Sequence, residues 1–65
     1  MQDVLTRDLT VSATALVGQV RRFGPHGVLY EVIGIASAEE ALIHVIDTGE
    51  ETAYPIAHVL SDPAD

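Results

Sequence analysis

A chain of 65 residues holds one small domain, and a domain of this size buries only about 60% of the surface that its unfolded form exposes. It contains no cysteine, so neither a disulfide framework nor a cysteine-based zinc site supplements the core, and packing or oligomerisation must stabilise the fold. Ten acidic residues, three arginines and no lysine give a net charge of −7, which disfavours binding to nucleic acid or to an acidic membrane.

The composition also limits where the protein is expected to act. A hydrophobic fraction of 48% is too high for a disordered chain, and no apolar run approaches the roughly 18 residues of a membrane span. The N-terminal stretch MQDVLTRDLT lacks the basic region and apolar run of a secretory signal. Because cysteine is also absent, we expect a cytoplasmic protein that does not associate with membranes.

The first segment differs in character from the rest of the chain. Val4, Leu5 and Leu9 suit one helical face, but the Thr and Ser content around them argues against a persistent helix. We therefore expect a flexible leader over residues 1–15 and a small β domain over residues 16–65. In that domain, β-branched and aliphatic residues are interrupted by Gly, Pro and acidic residues, which is typical of short strands in hairpin order. The predicted strands cover residues 16–23, 28–36, 41–46 and 51–60.

The connections between these strands carry recognisable turn residues. GPHG (24–27) predicts a turn shaped by Pro25 and its flanking glycines, and DTG (47–49) predicts a three-residue hairpin loop with Gly49 in the left-handed region. Pro55 cannot donate to a β ladder, so the fourth strand is expected to be kinked or at an edge there. The tail SDPAD is expected to fray after Leu60.

Two features leave the architecture open. Ser37 and Glu40 have the spacing of a capping box ahead of helix-favouring residues, so a short helix over 38–45 is an alternative to the third strand. In VLYEVIGIA (28–36), strict alternation makes both faces largely apolar, with Ile33 and Ile35 on the same face. Either the sheet curls to cover its second face, or a partner covers it. We predict an all-β fold, a four-stranded antiparallel meander or an SH3-like open barrel.

The heptapeptide RRFGPHG contains two of the three arginines and one of the three histidines. On a strand, Arg21 and Arg22 point to opposite faces, and one of them is expected to pair with an acid such as Glu31 on the neighbouring strand. Most of the heptapeptide therefore has an architectural explanation. If the protein contacts an acidic partner, Arg21, Arg22 and His26 are the predicted contact patch.

No motif in the chain indicates an enzyme. Asp47-Thr48-Gly49 matches the catalytic triplet of aspartic proteases, but that chemistry needs a second Asp and flaps, and the same triplet is a common hairpin loop. The three histidines, 26, 44 and 58, lack the i, i+2 or i, i+4 spacing of metal ligands. No serine lies in a nucleophile-elbow context. We therefore predict no catalytic residue, no metal and no cofactor.

The segment from Gly18 to Asp65 carries the strings VRRFGPHGVLYEVIGI, IDTGEE and YPIAHVLSDPAD. In these strings the chain resembles a family of very short bacterial proteins classed as a domain of unknown function. The resemblance implies a bacterial cytoplasmic protein of about this length and carries no activity, cofactor or functional residue with it. The leader, Met1 to Val17, lies outside it.

These observations favour a non-enzymatic protein-interaction or regulatory module that self-associates as a homodimer or binds another protein. A nucleic-acid-linked regulator, such as a small acidic antitoxin, is the alternative, with Arg7, Arg21 and Arg22 as the residues able to touch phosphate. A small-ligand site around Phe23, Tyr30 and Tyr54 ranks last, because 65 residues leave little room for a pocket.

Overall fold

The computed structural model describes residues 13–65, which form one antiparallel sheet and a short helix. The elements are β1 (Val20–Arg22), β2 (Leu29–Ile35), β3 (Glu40–Val45), β4 (Glu51–Pro55) and α1 (Ile56–Ser61). The strands lie side by side in sequence order, and every neighbouring pair is antiparallel. The sheet is open, so the predicted meander is confirmed. Within residues 13–65, no helix is long and apolar enough to span a membrane.

The core lies on one face of this sheet. Alternate residues of β3 point to that face, and the single buried residue of α1, Val59, packs on it together with Leu16, which precedes β1. Among residues 13–65, the buried residues are Leu16, Tyr30, Val32, Ala41, Ile43, Val45 and Val59. Seven residues make a small core, so each one contributes a large share of the apolar burial that stabilises the domain.

A β-bulge changes the predicted faces of β2. The register shifts between Val32 and Gly34, so Ile35 lies opposite Ala41 while Val32 lies opposite Ile43. Since Ala41 and Ile43 both face the core, Val32 and Ile35 share that face. Strict alternation had placed them on opposite faces, and the prediction was wrong because one extra residue, Ile33, is inserted in the strand.

The third strand resolves the helix alternative. Residues 40–45 form β3 between two neighbours, so the capping-box spacing of Ser37 and Glu40 does not start a helix. The side chain of Ser37 instead accepts a hydrogen bond from the N–H of Glu39 at 3.3 Å within the β2–β3 turn. Pairing on both sides outweighs the modest helix propensity of this short segment.

The predicted fourth strand is too long. β4 ends at Pro55, and residues 56–61 form α1, although 56–60 were predicted as strand. Pro55 has extended backbone angles and directly precedes the helix, a position that needs no donor. Val59 is then buried three residues after the partly buried Ile56, the spacing that puts both on one helical face.

The N-terminal boundary also differs from the prediction. The first strand was expected over 16–23, but β1 begins at Val20, because a turn occupies residues 16–18 and Gly18 has a φ of +94°. Of the predicted leader, residues 1–12 lie outside the described residues, and residues 13–15 form a helical turn. The hairpin at DTG and the left-handed conformation of Gly49 are confirmed, with a φ of +78°, but the connection between β3 and β4 covers residues 46–50 and is longer than the predicted three residues.

The tail does not fray as predicted. The N–H of Arg22 donates to the carbonyl of Pro63 at 3.0 Å, and the N–H of Asp65 donates to the carbonyl of Val20 at 3.0 Å. Arg21 and Ala64 form an antiparallel bridge between these two bonds. Because α1 carries the chain back across the sheet, the C-terminal residues lie along β1 and are joined to it by this one bridge and its flanking hydrogen bonds.

Candidate interaction site: the two edges of the sheet

The three residues of the predicted contact patch are close in sequence but face different surroundings. Arg21 lies opposite Tyr30 in the ladder and Arg22 lies opposite Leu29, so their side chains start on opposite faces, as expected. His26 is exposed in the turn between β1 and β2. The structure therefore does not gather these side chains on one face of the sheet.

Arg21 binds the end of α1. Its guanidinium donates to the carbonyl oxygens of Val59 at 3.1 Å and Asp62 at 2.9 Å. It also donates twice to the Oε1 atom of Gln19, at 2.8 and 3.1 Å. The last carbonyl groups of a helix have no partner within the helix. A cation at this position donates hydrogen bonds to them and interacts favourably with the negative end of the helix dipole. Arg21 therefore stabilises the C-terminal end of α1, a role that the sequence did not reveal.

Arg22 binds the opposite side of the same strand. Its guanidinium donates to the carbonyl of Gly27 at 3.1 Å and lies 3.6 Å from the Asp65 carboxylate. The predicted pairing of an arginine with Glu31 is wrong, because Glu31 faces Val20 in the register and the returning tail brings Asp65 to Arg22. Both arginines of the described residues are thus engaged within the chain.

Asp62 is the centre of a hydrogen-bonded cluster that the sequence did not reveal. One carboxylate oxygen accepts from the hydroxyls of Tyr30 at 2.7 Å and Tyr54 at 2.9 Å, and the other accepts from the N–H of Gly24 at 3.1 Å. Three distant segments therefore meet at one side chain, which anchors the start of the tail. Phe23 completes the cluster, with its ring centroid 4.4 Å from that of Tyr30 and 5.2 Å from that of Tyr54.

The electrostatics of this cluster follow from its burial and hydrogen bonds. Burial raises the pKa of Tyr30 far above its usual value, and the hydrogen bond to Asp62 raises it further, because both favour the neutral phenol. The same two causes raise the pKa of Tyr54. Burial opposes ionisation of Asp62, but the hydrogen bonds from Tyr30, Gly24 and Tyr54 outweigh it and hold the pKa of Asp62 below its usual value.

These directions predict a loss of stability at both ends of the pH scale. The lowered pKa of Asp62 means that its stabilising contribution is complete above about pH 4 and disappears as the pH falls through the folded-state pKa. The raised tyrosine pKa values mean that unfolded tyrosines ionise above about pH 10 while the folded ones stay neutral, so stability falls there as well.

Thermal unfolding followed across pH checks both limbs. Tyr30→Phe should weaken the alkaline fall and Asp62→Asn the acid fall, each relative to the wild-type curve. The assignment would be contradicted if the tyrosine absorbance of the folded protein titrated at the ordinary tyrosine pKa.

The two edges of the sheet differ in their hydrogen bonding. On β1 the outward backbone groups belong to Val20 and Arg22, and the tail satisfies the carbonyl of Val20 and the N–H of Arg22. On β4 the bonds from Val45 N–H to the Glu50 carbonyl and from Ile56 N–H to the Glu39 carbonyl fix the alternation. In this alternation, the backbone N–H and C=O groups of the even-numbered residues of β4 point toward β3. Those of the odd-numbered residues point away from the sheet.

The outward groups of β4 therefore belong to Glu51 and Ala53. Within residues 13–65, no backbone group pairs with them, and their one hydrogen bond is a long one, donated by the Thr52 hydroxyl to the Ala53 carbonyl at 3.4 Å. Pro55 occupies the next outward position, where its missing N–H breaks no bond to β3, as expected for proline in an edge strand. The sheet has one edge covered by its own tail and one open edge of about three residues.

Other titratable residues of the sequence lie on the face opposite the core and in the β3–β4 turn. Across the face opposite the core, Glu31, His44 and Glu51 lie in one register row, and the His44 Nδ1 atom is 3.6 Å from the Glu51 carboxylate. Among residues 13–65, no three His, Asp or Glu side chains are arranged to hold a metal ion. Asp47 is exposed in the hairpin turn.

A comparison with protein families matches residues 8–65 to the family of unknown function DUF5397. The chain belongs to this family. The DUF5397 match starts ten residues before Gly18, where the resemblance was expected to begin. It therefore includes residues 8–17, which were expected to lie outside the family. A comparison with curated proteins finds no match. The DUF5397 description names no activity, so the function has to be argued from the geometry of this chain.

The residues that sequence reasoning missed are Asp62 and the open edge at Glu51 and Ala53. Asp62 was placed in a fraying tail, and its only sequence signal was the Asp-Pro pair that ends a helix. The edge carried a stronger signal, Pro55, which was read correctly as an edge or kink. In the DUF5397 chain the position of Asp62 depends on the return of the tail to β1, which no local pattern indicates.

Proposed function

We propose that the protein is a non-enzymatic protein-interaction module of the bacterial cytoplasm, and that it binds its partner along β4. The open β4 edge carries this proposal. An unpaired strand edge presents backbone donors and acceptors in the geometry that another extended chain requires, and adding a strand is a common mode of peptide recognition. The opposite edge offers no such opportunity, because the tail already occupies it.

The engaged arginines argue against the nucleic-acid alternative. A regulator that contacts phosphate needs several free cations on one face, whereas Arg21 binds carbonyl groups and Arg22 lies against Asp65. Arg7 lies outside the described residues. The contact patch of Arg21, Arg22 and His26 remains a prediction, but Arg21 is a poor probe of it, because replacing Arg21 also disturbs the end of α1.

Ala53 offers a sharp test of edge binding. Its N–H points away from β3, so Ala53→Pro removes an outward donor while leaving the bonds between β3 and β4 in place. Ala53→Thr changes the side chain and keeps the donor, which makes it the matched control. Both variants are compared with the wild type in affinity purification from the native host and in sedimentation.

We expect proteins retained by the wild type and by Ala53→Thr to be lost with Ala53→Pro. If the partner is a second copy, sedimentation shows a dimer that Ala53→Pro converts to a monomer. Equal retention and equal assembly by folded Ala53→Pro and Ala53→Thr would refute edge binding.

A further inference from the structure

Four glutamates flank the open edge in two pairs. Glu50 and Glu51 lie at the N-terminal end of β4. Glu40 lies opposite Pro55 at its C-terminal end, and the carbonyl of Glu39 accepts the N–H of Ile56 at 2.9 Å. Glu40 is half-buried and the other three are exposed. The edge is therefore bracketed by negative charge at both ends.

These charges are not neutralised within the described part of the chain. Arg21 and Arg22 are its two arginines, and both bind elsewhere. The one ion-pair distance that involves these four glutamates joins Glu51 to His44, at 3.6 Å. A strand added to this edge would thus meet negative charge at each of its ends, and like charges across a strand pair are unfavourable.

From the open edge and its charge, we infer that β4 accepts an extended, lysine- or arginine-containing segment of another protein as a fifth strand. This inference rests on the proposed function and adds the chemistry of the partner. Backbone bonds to Glu51 and Ala53 hold the added strand. Basic side chains on the face opposite the core lie near Glu51 at one end and Glu40 at the other, and apolar side chains on the alternate positions face Thr52 and Tyr54.

The distance between the negative charges determines where basic residues are expected in the partner segment. Glu51 and Pro55, the neighbour of Glu40, are four residues apart on β4, which is about 13 Å of strand. Basic residues at positions i and i+4 of an extended segment match this distance and share a face. A second copy of this chain fits less well, because each copy has a net charge of −7 and brings glutamates to the same edge.

A capped peptide of about seven residues with lysine at alternate positions and valine or threonine between them is the probe. Its matched control has glutamate in place of every lysine. Both are labelled with a fluorophore and titrated with the full chain at low and moderate salt, using wild type, Ala53→Thr, Ala53→Pro and the double variant Glu40→Gln/Glu51→Gln. A second lysine peptide carries N-methyl groups on the amides that would face β4, so that one arm of the test leaves the protein unchanged.

We expect the lysine peptide to bind wild type and Ala53→Thr alike and to bind Ala53→Pro about tenfold more weakly. Binding to the double glutamine variant should be weaker and less sensitive to salt, because two charge contacts are removed. The glutamate peptide and the N-methylated lysine peptide should not bind. In the wild-type complex, the Ala53 amide should become protected from hydrogen exchange.

Two results would overturn the inference. One is binding of the lysine peptide that N-methylation leaves unchanged, which would mean charge attraction without strand addition. The other is the absence of lysine-peptide binding to the wild type. If Ala53→Pro still abolishes retention of a partner or dimerisation in that second case, edge binding stands and only the basic partner is wrong. If Ala53→Pro has no effect in either experiment, both proposals fail.

Discussion

Ile43→Ala should destabilise the fold by about 2–5 kcal/mol, because Ile43 is fully buried at the centre of β3 and its truncation leaves a cavity. A domain of this length is expected to have a total stability of about 3–10 kcal/mol. The loss is therefore expected to be a large fraction of the total stability of the domain. Chemical denaturation followed by circular dichroism measures the change.

Ile43→Val is the graded partner of this variant. It removes one methyl group and should cost about 0.5–1.5 kcal/mol, which keeps the protein folded and measurable. Leu60→Ala is the exposed control, because Leu60 is 59% exposed on α1 and its truncation should cost little. Equal losses for Ile43→Val and Leu60→Ala would contradict the position of the core.

Asp62→Ala should destabilise the fold, because the buried Tyr30 hydroxyl loses its acceptor. The loss of this one hydrogen bond should cost about 1–3 kcal/mol. The variant also removes the acceptor for Tyr54 and for the N–H of Gly24, so the tail should detach from β1 more readily. The measurement is the free energy of unfolding, together with the near-ultraviolet signal of the tyrosines, which should weaken as the aromatic cluster loosens.

Asp65→Ala is the matched control for this prediction. Asp65 is also an acid of the tail, but its carboxylate is half-exposed and lies 3.6 Å from Arg22, so its loss should cost less than about 1 kcal/mol. A double-mutant cycle between Asp62→Ala and Tyr30→Phe isolates the hydrogen bond. A coupling energy close to zero would show that Asp62 does not hold the cluster.

The parts of the fold that could be predicted are those specified by neighbouring residues. The β-branched residues of β2 and β3 alternate or cluster as strands do, and Gly49 occupies a position where a positive φ favours glycine. Pro55 indicated an edge because a missing donor is tolerated only where no ladder bond is lost. Each of these signals lies within a few residues of the feature that it predicts.

The parts that could not be predicted depend on distant contacts. Asp62 meets Tyr30 across 32 positions and Gly24 across 38, and nothing near Asp62 specifies either partner. Residues 56–60 are as compatible with a strand as with a helix, and it is the burial of Val59 against the sheet that favours the helix. Which edge of the sheet is covered likewise depends on the distant contacts of the tail with Val20 and Arg22.

Residue-resolved amide hydrogen exchange of the free chain tests most directly whether one edge is closed and the other open. At concentrations where the chain is monomeric, we expect slow exchange for Arg22, Thr52 and Tyr54, whose N–H groups are bonded, and fast exchange for Glu51 and Ala53. Protection of Ala53 equal to that of Tyr54, or free exchange of Arg22, would contradict it.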